Sequence, residues 1–185
     1  MRARVLLLSL ATVAVSPSHG STQGAGQPRP GDVGSLPARF VADVPFAAPV
    51  TARGDTLLLL LDTGASVVLT DAAIKALHEG SEPRARGTSF ISQSVFERWR
   101  RQYPAWRVIE HADSTLDMPM IQVPWVRVGG QTVGPVWFTM RPDRNFHESM
   151  SQWMDRRVDG ALGGSALRYL RVTLDYPRAV ATFER

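Results

Sequence analysis

A carboxylic acid stands at the end of an uninterrupted run of leucines. Leu57 to Leu61 lead directly into Asp62, and Thr63 and Gly64 follow. A carboxylate at the end of a core strand costs free energy unless it is hydrogen-bonded or paired, so an acid placed here indicates chemistry that uses it. The alternative is an Asp-Thr-Gly turn that only ends a strand.

A second segment, much later in the chain, combines small apolar residues with glycine. It consists of Val158, Asp159, Gly160, Ala161, Leu162 and Gly163, and a closing stretch, Val172-Thr173-Leu174-Asp175-Tyr176-Pro177-Arg178, follows it. Together with the Asp62 segment, these stretches resemble the retropepsin-like aspartic proteases, in particular small exported bacterial members. The resemblance covers residues 40–185, and it depends on the ordered pair of motifs rather than on either one alone.

The resemblance implies a role for each residue of the first motif. Asp62 would be a catalytic carboxylate, and Thr63 would form a structural hydroxyl bond across a pair of such acids. Gly64 would allow a close backbone approach that a Cβ atom would block. Ala65 and Ser66 would complete the loop, with Ser66 as a hydrogen-bond donor behind the catalytic group.

The second motif would support the first one from beneath. In the resembled family an apolar-apolar-glycine segment packs under the Asp-Thr-Gly turn in a ψ-shaped loop, which places residues 158–163 there. Asp159 belongs to this loop, and we expect it not to face the catalytic acid.

Catalysis in this family needs two carboxylates. Two such groups about 3 Å apart cannot both ionise, so they share a proton. One then deprotonates a water molecule while the other protonates the scissile carbonyl oxygen. This sequence has a single Asp-Thr-Gly, and Asp113-Ser114-Thr115 lacks the glycine. We therefore expect a homodimer with one Asp62 from each chain, acting on peptide or protein substrates without a cofactor.

One departure from the family leaves a second function open. Retropepsins close over substrate with a flap, usually a glycine-rich hairpin, whereas no glycine occurs here between Gly87 and Gly129. A flap would have to lie in residues 81–118, whose pattern is helical and rich in arginine and aromatic residues. The alternative is a catalytically inactive retropepsin-like module that binds a partner in the periplasm.

Composition excludes several other classes of protein. The chain has no cysteine, which excludes a disulfide framework, a thiol nucleophile and cysteine-type metal sites. None of the four histidines stands at a metal-ligand spacing, so no metal is expected. The formal net charge is +4 and the arginines are spread along the chain, which does not indicate a polybasic surface.

Residues 96–107 interleave arginine with aromatic residues. This pattern is compatible with single-stranded nucleic acid, but an amphipathic helix with buried aromatic residues explains it as well. We expect no nucleic acid as a partner.

The first residues indicate export. Arg2 and Arg4 precede an apolar stretch, residues 5–15, which predicts a secretory signal peptide over residues 1–20. That stretch is shorter than the roughly 20 residues of a membrane-spanning helix, so we expect a periplasmic or secreted protein with no membrane anchor after cleavage. Residues 21–38 are rich in glycine and proline and predict a flexible linker or pro-region. The domain is expected over residues 39–185.

Short elements must position these motifs. The pattern predicts strands over residues 56–61, 65–70, 121–128, 133–140, 171–174 and 179–183, with the first two buried. It predicts helices over 71–78, 93–102 and 166–170, and a glycine-rich turn over 158–164. The expected fold is mostly β: a single-lobe, retropepsin-like, closed barrel-like domain with two or three short helices.

Overall fold

The computed structural model describes residues 34–37, 39–41, 44–47, 50–51, 54–78, 80, 82–154 and 156–185. The predicted signal peptide, residues 1–20, and residues 21–33 of the predicted linker lie outside the described residues. Gly34–Pro37, at the end of that linker, forms a strand that pairs with the last strand of the chain. A paired strand therefore lies before the domain boundary expected at residue 39.

Within the described residues the chain is built mainly of short strands. The strands are β1 Gly34–Pro37, β2 Arg39–Val41, β3 Val44–Ala47, β4 Val50–Thr51, β5 Leu59–Leu61, β6 Ser66–Val68, β7 Ala85–Gly87, β8 Ser89–Ser92, β9 Val108–Ile109, β10 Met120–Val123, β11 Val126–Val128, β12 Gln131–Val133, β13 Val136–Arg141, β14 Gly160–Leu162, β15 Arg171–Asp175 and β16 Val180–Glu184. The α-helices are α1 Asp71–Leu77, α2 Gln93–Gln102 and α3 Gly164–Leu167, and a π-helical turn, Arg144–Glu148, precedes a 3₁₀ turn, Ser151–Trp153.

The strand β14 lies inside the largest sheet. That sheet has eight strands in the order β2-β3-β5-β14-β8-β13-β10-β9. β14 runs parallel to β5, with Gly160 opposite Leu59 and Leu162 opposite Leu61, and antiparallel to β8. The two sequence motifs are therefore neighbours in space, since β5 leads into Asp62 and β14 belongs to the second motif.

The expected closed barrel is wrong for the described residues. They form four open sheets, and the two outer strands of the largest, β2 and β9, do not pair with each other. β9 has only two residues and is followed by a turn in which His111 has a positive φ of 50°. Such a short edge strand offers too few backbone groups to close a barrel. The broader prediction of a mostly-β fold with few helices is confirmed.

Local patterns predicted the helices well. α2 spans the expected residues 93–102, and α1 begins at the expected residue with the Thr70 hydroxyl accepting a hydrogen bond from the N–H of Ala73. α1 ends one residue early because His78 adopts a left-handed conformation as its C-cap. The third helix lies at Gly164–Leu167 instead of residues 166–170.

Several strand predictions were too long or misplaced. The stretch 65–70 is a short strand whose side chains alternate exposed, buried and exposed, because only one of its faces packs on the protein. The stretches 121–128 and 133–140 are each divided in two, near Pro124 and Pro135, which have no N–H to donate to a ladder. Residues 158–164, predicted as a turn, contain the buried strand β14.

The main core lies between the eight-stranded sheet, α2 and the two three-stranded sheets. Its largest fully buried side chains include Trp99, Phe96, Phe138 and Phe183. Trp99 packs edge-to-face on Phe138, with ring centroids 5.5 Å apart. This packing holds the sheet that carries β5 and β14. Among the described residues, no helix is both long and apolar enough to cross a membrane.

Candidate active site

Asp62 directly follows the last residue of β5. Its backbone N–H donates to the carbonyl oxygen of Leu162 at 3.0 Å, which ties the start of the turn to β14. Leu59 and Leu60 before it are buried, so the strand that delivers the acid is anchored in the core. Asp62 itself is half-buried.

The turn that follows orients the Asp62 carboxylate. The N–H of Gly64 donates to Oδ1 at 2.9 Å, and the N–H of Ala65 donates to the Asp62 carbonyl oxygen at 3.3 Å. No cationic side chain in the described part of the chain forms an ion pair with this carboxylate. A carboxylate that is held by a backbone donor and reached by solvent can accept a proton from water, as a general base does.

Thr63 and Gly64 lie on the surface of the single chain. Both are exposed, so the hydroxyl bond expected of Thr63 would need a second chain and remains a prediction. A Cβ atom added at Gly64 would lie 3.4 Å from Asp62 Oδ1, which is ordinary van der Waals contact. Within one chain, the expected steric need for glycine at this position is therefore not found.

Ala65 and Ser66 mark the point where the chain leaves the site. Ala65 is buried, and its carbonyl oxygen accepts a hydrogen bond from the N–H of Thr88 at 3.0 Å. Ser66 begins β6, which pairs with β7 so that Ser66 lies opposite Gly87. Residues 66–87, which we call the excursion, therefore leave and return at the same place beside Asp62. Ser66 is exposed, and the donor role expected for it stays a prediction.

Gly163 packs directly against the Asp62 turn. A Cβ atom added here would lie 2.0 Å from the carbonyl oxygen of Thr88, 2.7 Å from Cβ of Ala65 and 3.1 Å from the carbonyl oxygen of Asp62. Only glycine fits this close approach. The preceding Ala161 and Leu162 are buried, so an apolar-apolar-glycine segment lies beneath the acid, between β5 and β8.

Two serine hydroxyls that sequence reasoning missed hold this segment. The N–H of Gly163 donates to Ser89 Oγ at 3.0 Å, and Ser89 Oγ is 2.8 Å from Ser165 Oγ. Ser165 Oγ donates in turn to the carbonyl oxygen of Trp137 at 2.7 Å. Ser165 stands beside the second motif, but Ser89 lies far along the chain from both motifs, so no local pattern pointed to it.

Asp159 lies at the other end of β14 from Gly163. Its Oδ2 accepts from the N–H of Leu58 at 3.3 Å, and its Oδ1 accepts from Arg157 Nε at 3.0 Å. His147 Nε2, which sequence reasoning did not select, is 3.8 Å from the same Oδ1. Val158 and Gly160 on either side are buried. These contacts hold the start of β14 against the residues that precede β5.

An open apolar groove of about 450 Å³ adjoins the Asp62 turn. Leu61 and Thr63 form one side of it. The other side is formed by the residues of α3, β15 and the turns beside them, namely Leu167, Leu170, Val172, Leu174 and Tyr176. The groove therefore joins the candidate catalytic turn to the C-terminal strands.

The segment in which a flap could lie, residues 81–118, is packed into the sheets of the protein over its described residues. In its described residues, 82–118, β7 pairs with β6, β8 with β13 and β14, and β9 with β10. None of these three strands pairs with another of them, so the described part of the segment contains no hairpin. The element beside Asp62 is instead the excursion, whose buried apolar side chains pack in a core cluster with Met120 and Trp137.

The arginine and aromatic residues of 96–107 form a packed helix and its continuation. Phe96 and Trp99 are fully buried, and Trp99 Nε1 donates to Asp55 Oδ2 at 2.8 Å. Arg98 Nη2 is 3.3 Å from the same oxygen, and Arg100 Nη2 is 2.7 Å from Glu110 Oε1. The buried aromatic side chains are unavailable for stacking on nucleobases.

Comparison of the chain with models of known protein families finds no match, and comparison with curated proteins finds none either.

Proposed function

We propose that this protein is a homodimeric aspartic endopeptidase of the retropepsin-like kind. The observation that supports this most is the position of β14. It places Gly163 against the carbonyl oxygen of Asp62 and hydrogen-bonds the Asp62 backbone through Leu162. An acid held between a buried strand and an apolar-apolar-glycine segment matches the arrangement that the sequence resemblance implies.

The reaction would use two copies of Asp62, one from each chain. One carboxylate is ionised and takes a proton from a water molecule, whose oxygen attacks the scissile carbonyl carbon. The other is protonated and gives its proton to the carbonyl oxygen. The carboxyl group that took the proton from water then gives it to the nitrogen, and the other carboxylate takes a proton from a hydroxyl of the tetrahedral species. The carbon–nitrogen bond breaks, which releases the amine and a carboxylic acid. No cofactor takes part in these steps.

The apolar groove beside Thr63 is the surface that would receive the second chain. Apolar surface that is contiguous on an exterior marks interaction sites, and this groove is continuous with the turn that carries Asp62. A twofold axis near Thr63 would bring the two carboxylates together. The groove thus supports the dimer that the single Asp-Thr-Gly requires.

The test compares wild-type protein with Asp62→Asn on a peptide library from about pH 3 to pH 7, where carboxyl groups change protonation. We expect cleavage by the wild type and none by the variant. Asp117→Asn is the matched control, because Asp117 is an exposed acid remote in the chain that contacts His111. Equal cleavage by the wild type and Asp62→Asn would remove the proposal.

A catalytically inactive binding module is the second candidate. It is favoured by the absence of a hairpin in the described residues 82–118. In that case the wild type and Asp62→Asn would both leave the library uncut and would bind the same peptides. Export to the periplasm or medium is part of either proposal and rests on residues 1–20.

A further inference from the structure

A small pocket lies between the excursion and the body of the protein. Its volume is about 190 Å³, below the roughly 300–1,000 Å³ of sites that enclose a whole small ligand. A pocket of this size suits one amino-acid side chain. Leu69 and Leu77 of the excursion form one wall, and Met120 and Trp137 of the body form the other.

The floor of the pocket adjoins the candidate catalytic turn. Gly87 and Gly164 both line it. Gly87 lies opposite Ser66 in the β6–β7 pair, and Gly164 follows Gly163, which packs on Asp62. A side chain in this pocket would therefore belong to a peptide whose backbone passes close to Asp62.

The floor is closely packed and its polar groups are used internally. A Cβ atom added at Gly87 would lie 3.3 Å from Cα of Gly164, and one added at Gly164 would lie 3.2 Å from Cα of Gly87. The hydroxyl of Ser165 is committed to the Trp137 carbonyl oxygen and to Ser89. The floor thus limits the size of the side chain that fits, and contacts that distinguish one ligand from another come from the walls and the arginines.

Among the described residues, two arginines line the pocket and a third lies beside one of its walls. Arg86 and Arg168 line it, and the guanidinium of Arg107 lies 5.7 Å from the ring centroid of Trp137. Arg86 is held in place by a bond from Nη2 to the carbonyl oxygen of Gly80 at 2.7 Å. None of the described residues that line the pocket is acidic.

Arg168 has donors left for a ligand. Its Nη2 contacts the Tyr169 hydroxyl at 3.0 Å, and its guanidinium lies 5.0 Å from the centre of that ring. Of the described acidic side chains, none forms an ion pair with it. Since a guanidinium has five N–H donors, most of those on Arg168 are available to a carboxylate.

We propose that this pocket binds the glutamate side chain of a peptide, next to the scissile bond. The location next to the scissile bond rests on the proposed function, whereas the binding of glutamate does not. Apolar walls suit the methylene groups of glutamate, and the arginines suit its carboxylate, which favours charge-assisted hydrogen bonds with guanidinium groups.

The first experiment measures cleavage of a position-scanned peptide library in which glutamate is exchanged for glutamine. We expect a preference for glutamate of about ten-fold at one fixed position beside the cut bond. Arg168→Gln should reduce this preference to about two-fold or less. Arg171→Gln is the matched control, since Arg171 is an exposed arginine three positions away whose nearest acid is Glu184 at 3.8 Å.

The second experiment measures binding without cleavage. End-blocked peptides retained by Asp62→Asn protein should be enriched in glutamate over glutamine, and the Asp62→Asn/Arg168→Gln protein should lose this enrichment. Enrichment without cleavage by the wild type would overturn the proposed endopeptidase and leave the pocket assignment standing. Cleavage that depends on Asp62, with no glutamate preference in either experiment, would overturn the pocket assignment alone.

Discussion

Asp62 and Asp159 lie at opposite ends of the parallel pair formed by β5 and β14. Asp159 is 6% exposed, and its carboxylate oxygens accept from the N–H of Leu58 and from Arg157. Asp62 is half-buried, and its carboxylate accepts only a short-range bond from the N–H of Gly64 among the described residues. The same chemical group is thus used for structure at one end and left accessible to reactants at the other.

Both residues are aspartates, so only their hydrogen-bond partners and exposure distinguish them. A carboxylate whose oxygens are committed to backbone and guanidinium donors has little capacity left for a substrate. A carboxylate with one hydrogen-bonded oxygen keeps a fixed orientation, and its other oxygen can still accept a hydrogen bond from a reactant. This arrangement suits proton transfer.

The largest expected effect concerns activity. Asp62→Asn should lower kcat/KM for a cleaved peptide by at least about a thousand-fold, because it removes the group that takes and gives the proton in the proposed reaction. Asp159→Asn should keep most activity once the fraction of folded protein is corrected for. Progress curves on one peptide measure both variants, and similar losses for the two would remove the distinction between the ends.

The second prediction concerns dimer formation through the apolar groove beside the Asp62 turn. Leu170→Glu places a charge in the groove beside Thr63 and should raise the dimer dissociation constant by about a hundred-fold, because a charge is desolvated in an apolar contact. Leu116→Glu is the control, since Leu116 is an exposed leucine that does not line the groove. Sedimentation velocity measures the effect, with circular dichroism to check folding. An active wild type that sediments only as a monomer would contradict the dimer.

The glycines of the two motifs should differ in their effect on stability. Gly163→Ala should lower the free energy of unfolding by about 3 kcal/mol, since its Cβ would lie 2.0 Å from a backbone oxygen and overpacking costs typically 1–3 kcal/mol. Gly64→Ala should cost about 1 kcal/mol or less because its Cβ has room. Urea denaturation of the two variants measures both values. A larger loss for Gly64→Ala would contradict the difference in packing between the two glycines.

The smallest expected effect concerns the stability contribution of each acid. Asp159→Ala should cost about 1–2 kcal/mol, because the partly buried N–H of Leu58 loses its carboxylate acceptor. Asp62→Ala should change stability by about 0.5 kcal/mol or less, because water can replace the carboxylate at the exposed N–H of Gly64. Thermal denaturation compares them, and a greater loss at Asp62 would reverse the structural roles given to the two ends.

Elements encoded by nearby residues were the predictable part of the fold. The helix Gln93–Gln102 was predicted over the same residues, because its periodic apolar side chains and Pro104 lie within one local stretch. The strand before Asp62 and the last two strands were also expected: the first is shorter than predicted, β15 is one residue longer, and β16 is shifted by one residue. Local pattern determines such elements because their hydrogen bonds and side-chain spacing are set within a few residues.

The site was predictable only as a pair of motifs. Asp62 and Gly163 were both selected from the sequence, and the structure brings their backbones into contact. The bonds through Ser89, Ser165 and Trp137 were not foreseen, because each joins residues separated by a long stretch of chain. The contact between His147 and Asp159 was likewise not foreseen, because the spacing of the two residues in the sequence matches no known motif.

The sequence by itself determined that an acid follows a buried strand, that glycine recurs in a later apolar segment, and that the chain is mostly β with short helices. Only the tertiary structure decided that β14 lies between β5 and β8, that the sheets stay open, and that residues 66–87 form an excursion bordering an arginine-lined pocket. The physical reason is that strand pairing joins backbone groups far apart in the chain. A local pattern can show that a strand will form, but the choice of partner depends on packing across the whole core.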